Sequence, residues 1–169
     1  YLSAMQNRHA LCMCIEDAMQ VEIPERAQYI RTINDELMRI SSHLLFWGTF
    51  CNDLGSTTAL IYGFREREMV LDILEETTGA RMSFHYNKIG GVMHDIHPDY
   101  QRKIKEFCKI MPERLKEYHR FFTGNVIAQG RMHGISVISK ERCIAHSMTG
   151  PSGRASGWAC DVRKRIPYA

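Results

Sequence analysis

Several things are missing from this 169-residue chain, and each absence narrows the choice of function. No run of 18 apolar residues occurs, so no segment spans a bilayer by itself. No secretory leader opens the chain. No Gly-x-Gly-x-x-Gly or Gly-x-x-x-x-Gly-Lys-Ser/Thr pattern is present, which argues against nucleotide binding, and no Cys-x-x-Cys occurs. There is no internal repeat and no low-complexity tract. The net charge is only +3, and its one dense basic cluster is Arg163-Lys164-Arg165, too little for a nucleic-acid interface. The first residue is not methionine and the last residues close no element, so the chain is expected to be a piece of something longer.

What remains is 44% apolar and 24% charged, enough for a compact core of this length. The six cysteines are scattered through apolar surroundings. Cys12 and Cys14, two apart, cannot face each other on a helix. They are read as mostly reduced core thiols.

Helical periodicity dominates. Over residues 5–20, Met5, His9, Cys12, Met13, Glu16 and Met19 share a stripe. Pro24 then sits where a helix can begin, and Ile30, Ile33, Leu37, Ile40 and Leu44 give a core face to one long helix over 25–50. Its end, Leu44-Leu45-Phe46-Trp47-Gly48, is apolar all round and predicts full burial. Two more helices are expected over 52–62 and 66–78, separated near Gly63 and closed by Gly79. Residues 80–97, with Gly90-Gly91, read as strand or loop. A long amphipathic helix from Pro98 to Phe121 should kink or split at Pro112. Residues 132–148 read as short elements and 150–157 as a glycine-rich loop that approaches a buried element closely, braced by Arg154, Asp161 and Arg163. The expected fold is mainly α: a helical-bundle core with short strands and loops.

Four groups could carry chemistry. Arg26, Arg31, Arg65, Glu66, Arg67 and Glu68 lie on helices with strong apolar faces. They form either ordinary helix-surface pairs or a buried ion network that relays charge. His43 and Asp53 flank the most apolar stretch. Asp53 either caps the helix after it or is a buried acid that passes protons with a histidine. His85, His94, Asp95 and His97 suggest a metal, but three or four convergent ligands are needed, and a polar loop is the simpler reading. Tyr1 has a phenol that could donate to a carbonyl ligand.

The order and spacing of several segments resemble a known family. They are Ile23-Pro24-Glu25-Arg26-Ala27-Gln28-Tyr29-Ile30-Arg31, Glu36-Leu37-Met38-Arg39-Ile40, Ser42-His43-Leu44-Leu45, Asp53-Leu54-Gly55, Phe64-Arg65-Glu66-Arg67-Glu68, Gly79-Ala80-Arg81-Met82, Gly90-Gly91-Val92 and Arg154-Ala155-Ser156-Gly157. The chain resembles the large hydrogenase-like (D-type) subunit of respiratory complex I, whose relatives include F420H2 dehydrogenase subunits and the large subunits of energy-converting hydrogenases. The resemblance implies that residues 1–169 are a core fragment of the hydrogenase large-subunit domain. It also implies a peripheral place on the cytoplasmic face of the membrane, within a complex that couples electron transfer to ion translocation. Partners would be a small iron–sulfur subunit, other peripheral-arm and membrane-arm subunits, and a quinone or methanophenazine acceptor. No covalently bound cofactor, metal or nucleic acid is implied for the chain itself.

By that resemblance Tyr1 matches the tyrosine that hydrogen-bonds the quinone head group. Asp53 matches a buried aspartate paired with a histidine on an N-terminal hairpin outside this sequence. His43 matches a position near the quinone cavity. Arg26, Arg31, Arg65, Glu66, Arg67, Glu68, Arg154 and Asp161 would form a structural or coupling network. Two further readings stay open. In one, the chain is the large subunit of an energy-converting hydrogenase, whose nickel-iron centre needs two cysteine pairs that this chain lacks. In the other, it is a structural scaffold that binds no acceptor.

Overall fold

The computed structural model describes residues 2–167. The chain divides into two compact units, residues 1–128 and 129–169.

The first unit is built on four long helices: α1 (Ala4–Met19), α2 (Glu25–Asp53), α3 (Thr57–Thr78) and α4 (Tyr100–Tyr118). The predicted stripe of α1 is the buried one, with Met5, His9, Cys12 and Glu16 all turned inward, whereas Met19 is exposed. In α2 the buried positions Ala27, Ile30, Asn34, Leu37, Ser41, Leu44, Gly48 and Cys51 recur at alternating steps of three and four, the spacing of a helix packed along its whole length. Ile33 falls outside this seam and is exposed. Leu54–Ser56 reverses the chain, and α3 returns antiparallel, with Gly63 beside Leu44 and Gly48 beside Leu60. The principal core gathers Met5, Ile30, Leu37, Met38, Val70, Ile73, Leu74, Phe84, Tyr86, Tyr100 and Phe107.

The helices depart from the expected pattern in four places. The two helices expected over 52–62 and 66–78 are the single α3, and Asp53 ends α2 instead of heading the next helix. Gly63 does not divide α3; it is the point where α3 meets α2, since a Cβ there would stand 2.8 Å from the Leu44 carbonyl oxygen. The apolar end of α2 is not fully buried: only one side meets α3, and Phe46 remains 63% exposed. Pro112 does not split α4. The carbonyl it leaves without a partner belongs to the exposed Cys108, where water can serve it.

Gly79 ends α3 in the left-handed conformation (φ +78°), as predicted, and its N–H donates to the Glu75 carbonyl. Residues 80–97 contain a minimal antiparallel hairpin, β1 (Asn87–Lys88) and β2 (Gly91–Val92), with Asn87 opposite Val92 and Lys88 opposite Gly91. Beyond α4 the helix widens into a π-turn, His119–Thr123.

Helix α5 (Val126–Met132) crosses the division between the units. The second unit continues with α6 (Lys140–Ala145), α7 (Gly150–Ala155) and α8 (Val162–Arg165). The glycine-rich stretch expected as a loop is therefore mostly helix, started by Thr149 and Pro151. The close approach expected to a buried element is instead local: a Cβ on Gly153 would lie 2.5 Å from the carbonyl oxygen of Met148, a partly buried loop residue just before α7. Asp161 caps α8 by accepting the Arg163 N–H. All six cysteines are free; Cys12, Cys51, Cys143 and Cys160 are buried, while Cys14 and Cys108 are exposed.

Candidate functional site

Helices α2 and α4 leave an apolar groove of about 590 Å³ between them. From α2 it is lined by Ile40, His43, Leu44 and Trp47; from α4 by Phe107, Cys108, Met111, Pro112, Leu115 and Tyr118; the π-turn adds His119 and Thr123. Local sequence explains the placement. His43, Trp47 and Ile40 are spaced three and four apart, as are Cys108, Met111, Leu115 and Tyr118, so each set forms a stripe on its helix. Trp47 stacks on Tyr118 with ring centroids 4.2 Å apart and planes inclined by 21°. The imidazole Nδ1 of His119 lies 2.8 Å from the Thr123 hydroxyl. The groove can therefore hold an apolar body and offers few polar groups.

Behind this wall lies a charge cluster built on one buried acid, with its cations partly in solvent. The Tyr118 phenol donates to Glu66, a fully buried carboxylate on α3. Arg65 Nε donates to Glu66 at 2.5 Å, Arg114 Nε stands 3.3 Å away, and Arg65 Nη2 reaches Glu117 at 2.7 Å. Two cations thus offset the desolvation of one buried acid. Burial, and next the hydrogen bond to Glu66, push the Tyr118 phenol well above its usual range. The hydrogen bond from Arg65 holds Glu117 below the usual carboxylate range.

On the other side of α2, Arg31 and Glu16 form a two-point ion pair, with Nη1–Oε2 at 2.9 Å and Nη2–Oε1 at 2.6 Å. The same guanidinium donates to the carbonyls of Lys88 and Gly91, and the Gly90 N–H donates to Glu16. The pair thereby anchors the hairpin to α1 and α2. The hydrogen bonds from Arg31 lower the Glu16 pKa against the opposing effect of burial. A second buried contact, His9 Nδ1 to Asp35 Oδ2 at 2.5 Å, also links α1 to α2.

The arginine- and glutamate-rich segments singled out in the sequence divide among separate clusters. Arg26 pairs with Asp95 on the surface at 2.9 Å, Arg31 with Glu16, and Arg65 with Glu66 and Glu117; Glu68 joins Asp72 and Glu75 around Arg81. Arg67 is buried on α3, 5.6 Å from the Phe64 ring centroid, and its Nε has no hydrogen-bond partner among the described residues. Helix-surface pairs at three and four residues do occur, but among other residues: Glu36 with Arg39 on α2, and Arg102 with Asp99 and Glu106 at α4.

His43 lies at the groove. Asp53 lies ten residues further along α2, about 15 Å by helical rise, so the two are not brought together. Asp53 is exposed, in contrast to the buried acid expected there, because α2 carries it past the last contacts with α3 to the end of the helix. Nor does it cap the following helix, which Ser56 precedes. Tyr1 lies outside the described residues. In the second unit Arg154 reaches the Cys160 carbonyl at 3.5 Å, and Asp161 pairs with Arg163 at 3.1 Å rather than bracing α7. The three loop histidines go separate ways: His85 to Arg8, His94 against the Tyr86 ring, and His97 toward Glu76.

Sequence reasoning missed the partners Glu16, Asp35, Asp95 and Tyr118. Glu16 had a signal, since a charged residue on an apolar stripe requires a partner. The others sit 26 to 69 residues from the groups they meet, beyond any local pattern.

Known proteins share this sequence and this fold. A family model described as "Respiratory-chain NADH dehydrogenase, 49 Kd subunit" matches residues 53–169. All 169 residues align with the C/D-type NADH-quinone oxidoreductase subunit of Phocaeicola vulgatus at 63% identity, covering 33% of that protein. They align with the D-type NADH-quinone oxidoreductase subunit of Geobacillus kaustophilus at 45% identity, covering 46% of it. Among solved structures, a chain of the membrane-bound sulfane sulfur reductase, an archaeal respiratory membrane complex, superposes with a TM-score of 0.87 at 34% identity, over 91% of this chain and 42% of that one. The chain thus spans about a third to a half of the length of the relatives it matches.

Proposed function

Since the chain belongs to the family of the 49 kDa subunit of respiratory-chain NADH dehydrogenase, we propose that it forms one wall of the acceptor site in a membrane-associated NADH-quinone oxidoreductase. The observation that carries this reading is the alignment of the whole chain, Tyr1 and Asp53 included, with the C/D-type and D-type subunits of such enzymes. An iron–sulfur cluster held by a partner would supply the electrons, and the quinone is the substrate that takes up two electrons and two protons. The Tyr1 phenol donates to one acceptor carbonyl and stabilises the oxyanion that develops on it. Asp53 biases the protonation of a histidine supplied by a segment outside these residues. Its position supports that role: it is exposed at a helix end, with no ion pair among the described residues, and so is available to such a segment. His43 neighbours the site. The buried Arg31–Glu16 pair and the ion pairs of Arg65 to the buried Glu66 hold the wall rigid while charge changes beside it. Residues 1–169 act as the core part of the subunit, on the cytoplasmic face of the membrane; no described helix is long and apolar enough to cross one.

The names of the matched relatives favour the quinone reading over the hydrogenase one. A nickel-iron centre needs paired thiolates, but Cys12 is buried while Cys14 is exposed, and Cys160 has no neighbouring cysteine in sequence. No group of three His, Cys, Asp or Glu among the described residues is placed to hold a metal.

The test is Asp53→Asn in the assembled complex. Acceptor reduction should fall by at least about tenfold, with an altered pH profile, as for removal of a group that governs a catalytic proton. Unchanged reduction across the neutral and mildly alkaline range would remove the proton role of Asp53.

A further inference from the structure

We infer that Asp35 is a positioning residue for Tyr1: holding Gln6 and His9 of α1, it fixes the first turns of that helix and thereby the place from which the phenol reaches the acceptor. The inference rests on the reading of Tyr1 as a donor to the acceptor and deepens it. Tyr1 precedes Ala4 by three residues, a backbone reach of at most about 11 Å, so the start of α1 bounds where Tyr1 can stand.

The attachments of that start converge on one residue of α2. Gln6 Nε2 donates to the Asp35 backbone carbonyl at 3.0 Å, and the Ser3 hydroxyl donates to Gln6 Oε1 at 2.5 Å. One turn further, His9 Nδ1 lies 2.5 Å from Asp35 Oδ2. Ser3, Gln6 and His9 are three apart, so they follow one face of the chain as it enters α1. Asp35 thus holds side chains from two successive turns, and through Gln6 its hold extends to the residue two places from Tyr1. From the hairpin, Asn87 Nδ2 reaches the Met5 carbonyl at 3.5 Å. The Arg31–Glu16 pair secures the far end of the same helix.

Attachment alone does not call for polar groups at this place. His9 and Asp35 are 2% and 1% exposed, and Asp35 Oδ1 has no hydrogen-bond partner among the described residues. Apolar side chains of similar volume commonly hold two helices as well as such a buried pair does. What the pair adds is register. Apolar contacts survive a small slide or rotation of α1, whereas a hydrogen bond is lost with it. Register matters at a donor that must meet a carbonyl, where a misplacement of about 1 Å can cost on the order of a hundredfold in rate.

The test is a double-mutant cycle in the assembled complex, with reduction of a short-chain quinone as the readout. His9→Leu is expected to lower kcat/KM at least about tenfold. His9→Asn, whose amide can donate from the place of Nδ1, should stay within about threefold of the unsubstituted complex. In a Tyr1→Phe background His9→Leu should cost less than about twofold, because the group it positions is gone. Equal losses in the two backgrounds would overturn the inference, since a general loosening of the wall acts with or without the phenol. So would full activity of His9→Leu, or a His9→Asn complex no better than His9→Leu. If His9→Leu does not assemble, Gln6→Met carries the same cycle: it leaves the Asp35 carbonyl to its own helix, and its expected loss of about threefold should likewise vanish with Tyr1→Phe. Tyr1→Phe alone reports on the acceptor site. Reduction unchanged by it would remove the donor role of Tyr1, whereas a loss there with additive effects at His9 would remove only the positioning role of Asp35.

Discussion

Arg31 on α2 and Glu16 on α1 meet through two parallel hydrogen bonds in a place almost closed to water, with the guanidinium side chain only 2% exposed. The pair also takes up backbone groups of the hairpin, the Lys88 and Gly91 carbonyls and the Gly90 N–H. Removing one member leaves the other buried and uncompensated. Arg31→Met or Glu16→Gln should each cost about 3–5 kcal/mol. The double variant Glu16→Leu/Arg31→Met should not recover fully, because the hairpin groups remain unsatisfied. Urea unfolding of the four proteins checks this; full recovery in the double variant would show that the hairpin contacts carry no weight.

The same pair sets part of the acid stability. The folded pKa of Glu16 lies below the unfolded value, about 4.3 for a glutamate, so its contribution is present above that pH and is lost as pH falls through the folded value. Asp95, Asp99 and Glu117 are lowered in the same sense by Arg26, Arg102 and Arg65. Glu16→Gln should therefore flatten the decline of stability below about pH 4.3 in part, not wholly. Thermal melts across the acid range measure it, and an unchanged slope would assign the acid limb to the surface acids.

Tyr118→Phe keeps the stack on Trp47 but deletes the donor to Glu66. Arg65 and Arg114 remain beside that carboxylate, so the loss should stay near about 1.5–3 kcal/mol, the range for a hydrogen bond to a charged group. Denaturant unfolding gives the number. A loss under about 0.5 kcal/mol would mean that the arginines alone satisfy Glu66.

Gly63→Ala places a methyl 2.8 Å from the Leu44 carbonyl and must push α2 and α3 apart, at about 1–3 kcal/mol. Gly130→Ala, in α5 with nothing within 4 Å, should be neutral or stabilise by up to about 1 kcal/mol. Comparing the two melting temperatures separates packing from helix propensity.

Thiol reactivity should follow burial. Desolvation raises the Cys51 pKa to about 11, so at mildly alkaline pH its thiolate fraction is about two orders of magnitude below that of an ordinary cysteine. In the native 169-residue chain, Cys14 and Cys108 should label first and Cys51 only on unfolding, as followed by mass spectrometry.

Much of this fold was legible because its signals are local. Met5, His9, Cys12 and Glu16 recur at helical spacing, and Gly79 stands where a helix needs a left-handed residue. The reading of α3 failed at Gly63 for an equally local reason. A glycine costs about 1 kcal/mol of helix propensity, and only the neighbouring Leu44 carbonyl reveals why it is there. The glycine-rich stretch 150–157 misled in the same way, because Thr149 and Pro151 start a helix that its composition conceals.

The sequence by itself determined the long helices α1, α2 and α4, most of the buried stripe of α1 and α2 and, through the order of its charged motifs, the family. Those follow from periodicities of three and four residues and from fixed spacing along the chain. Tertiary structure alone decided which acid meets which base, that His43 stands at a groove while Asp53 is exposed at the end of α2, and that the arginines serve separate clusters. Such pairings join residues up to 69 positions apart, and only tertiary packing brings them within a hydrogen bond's length.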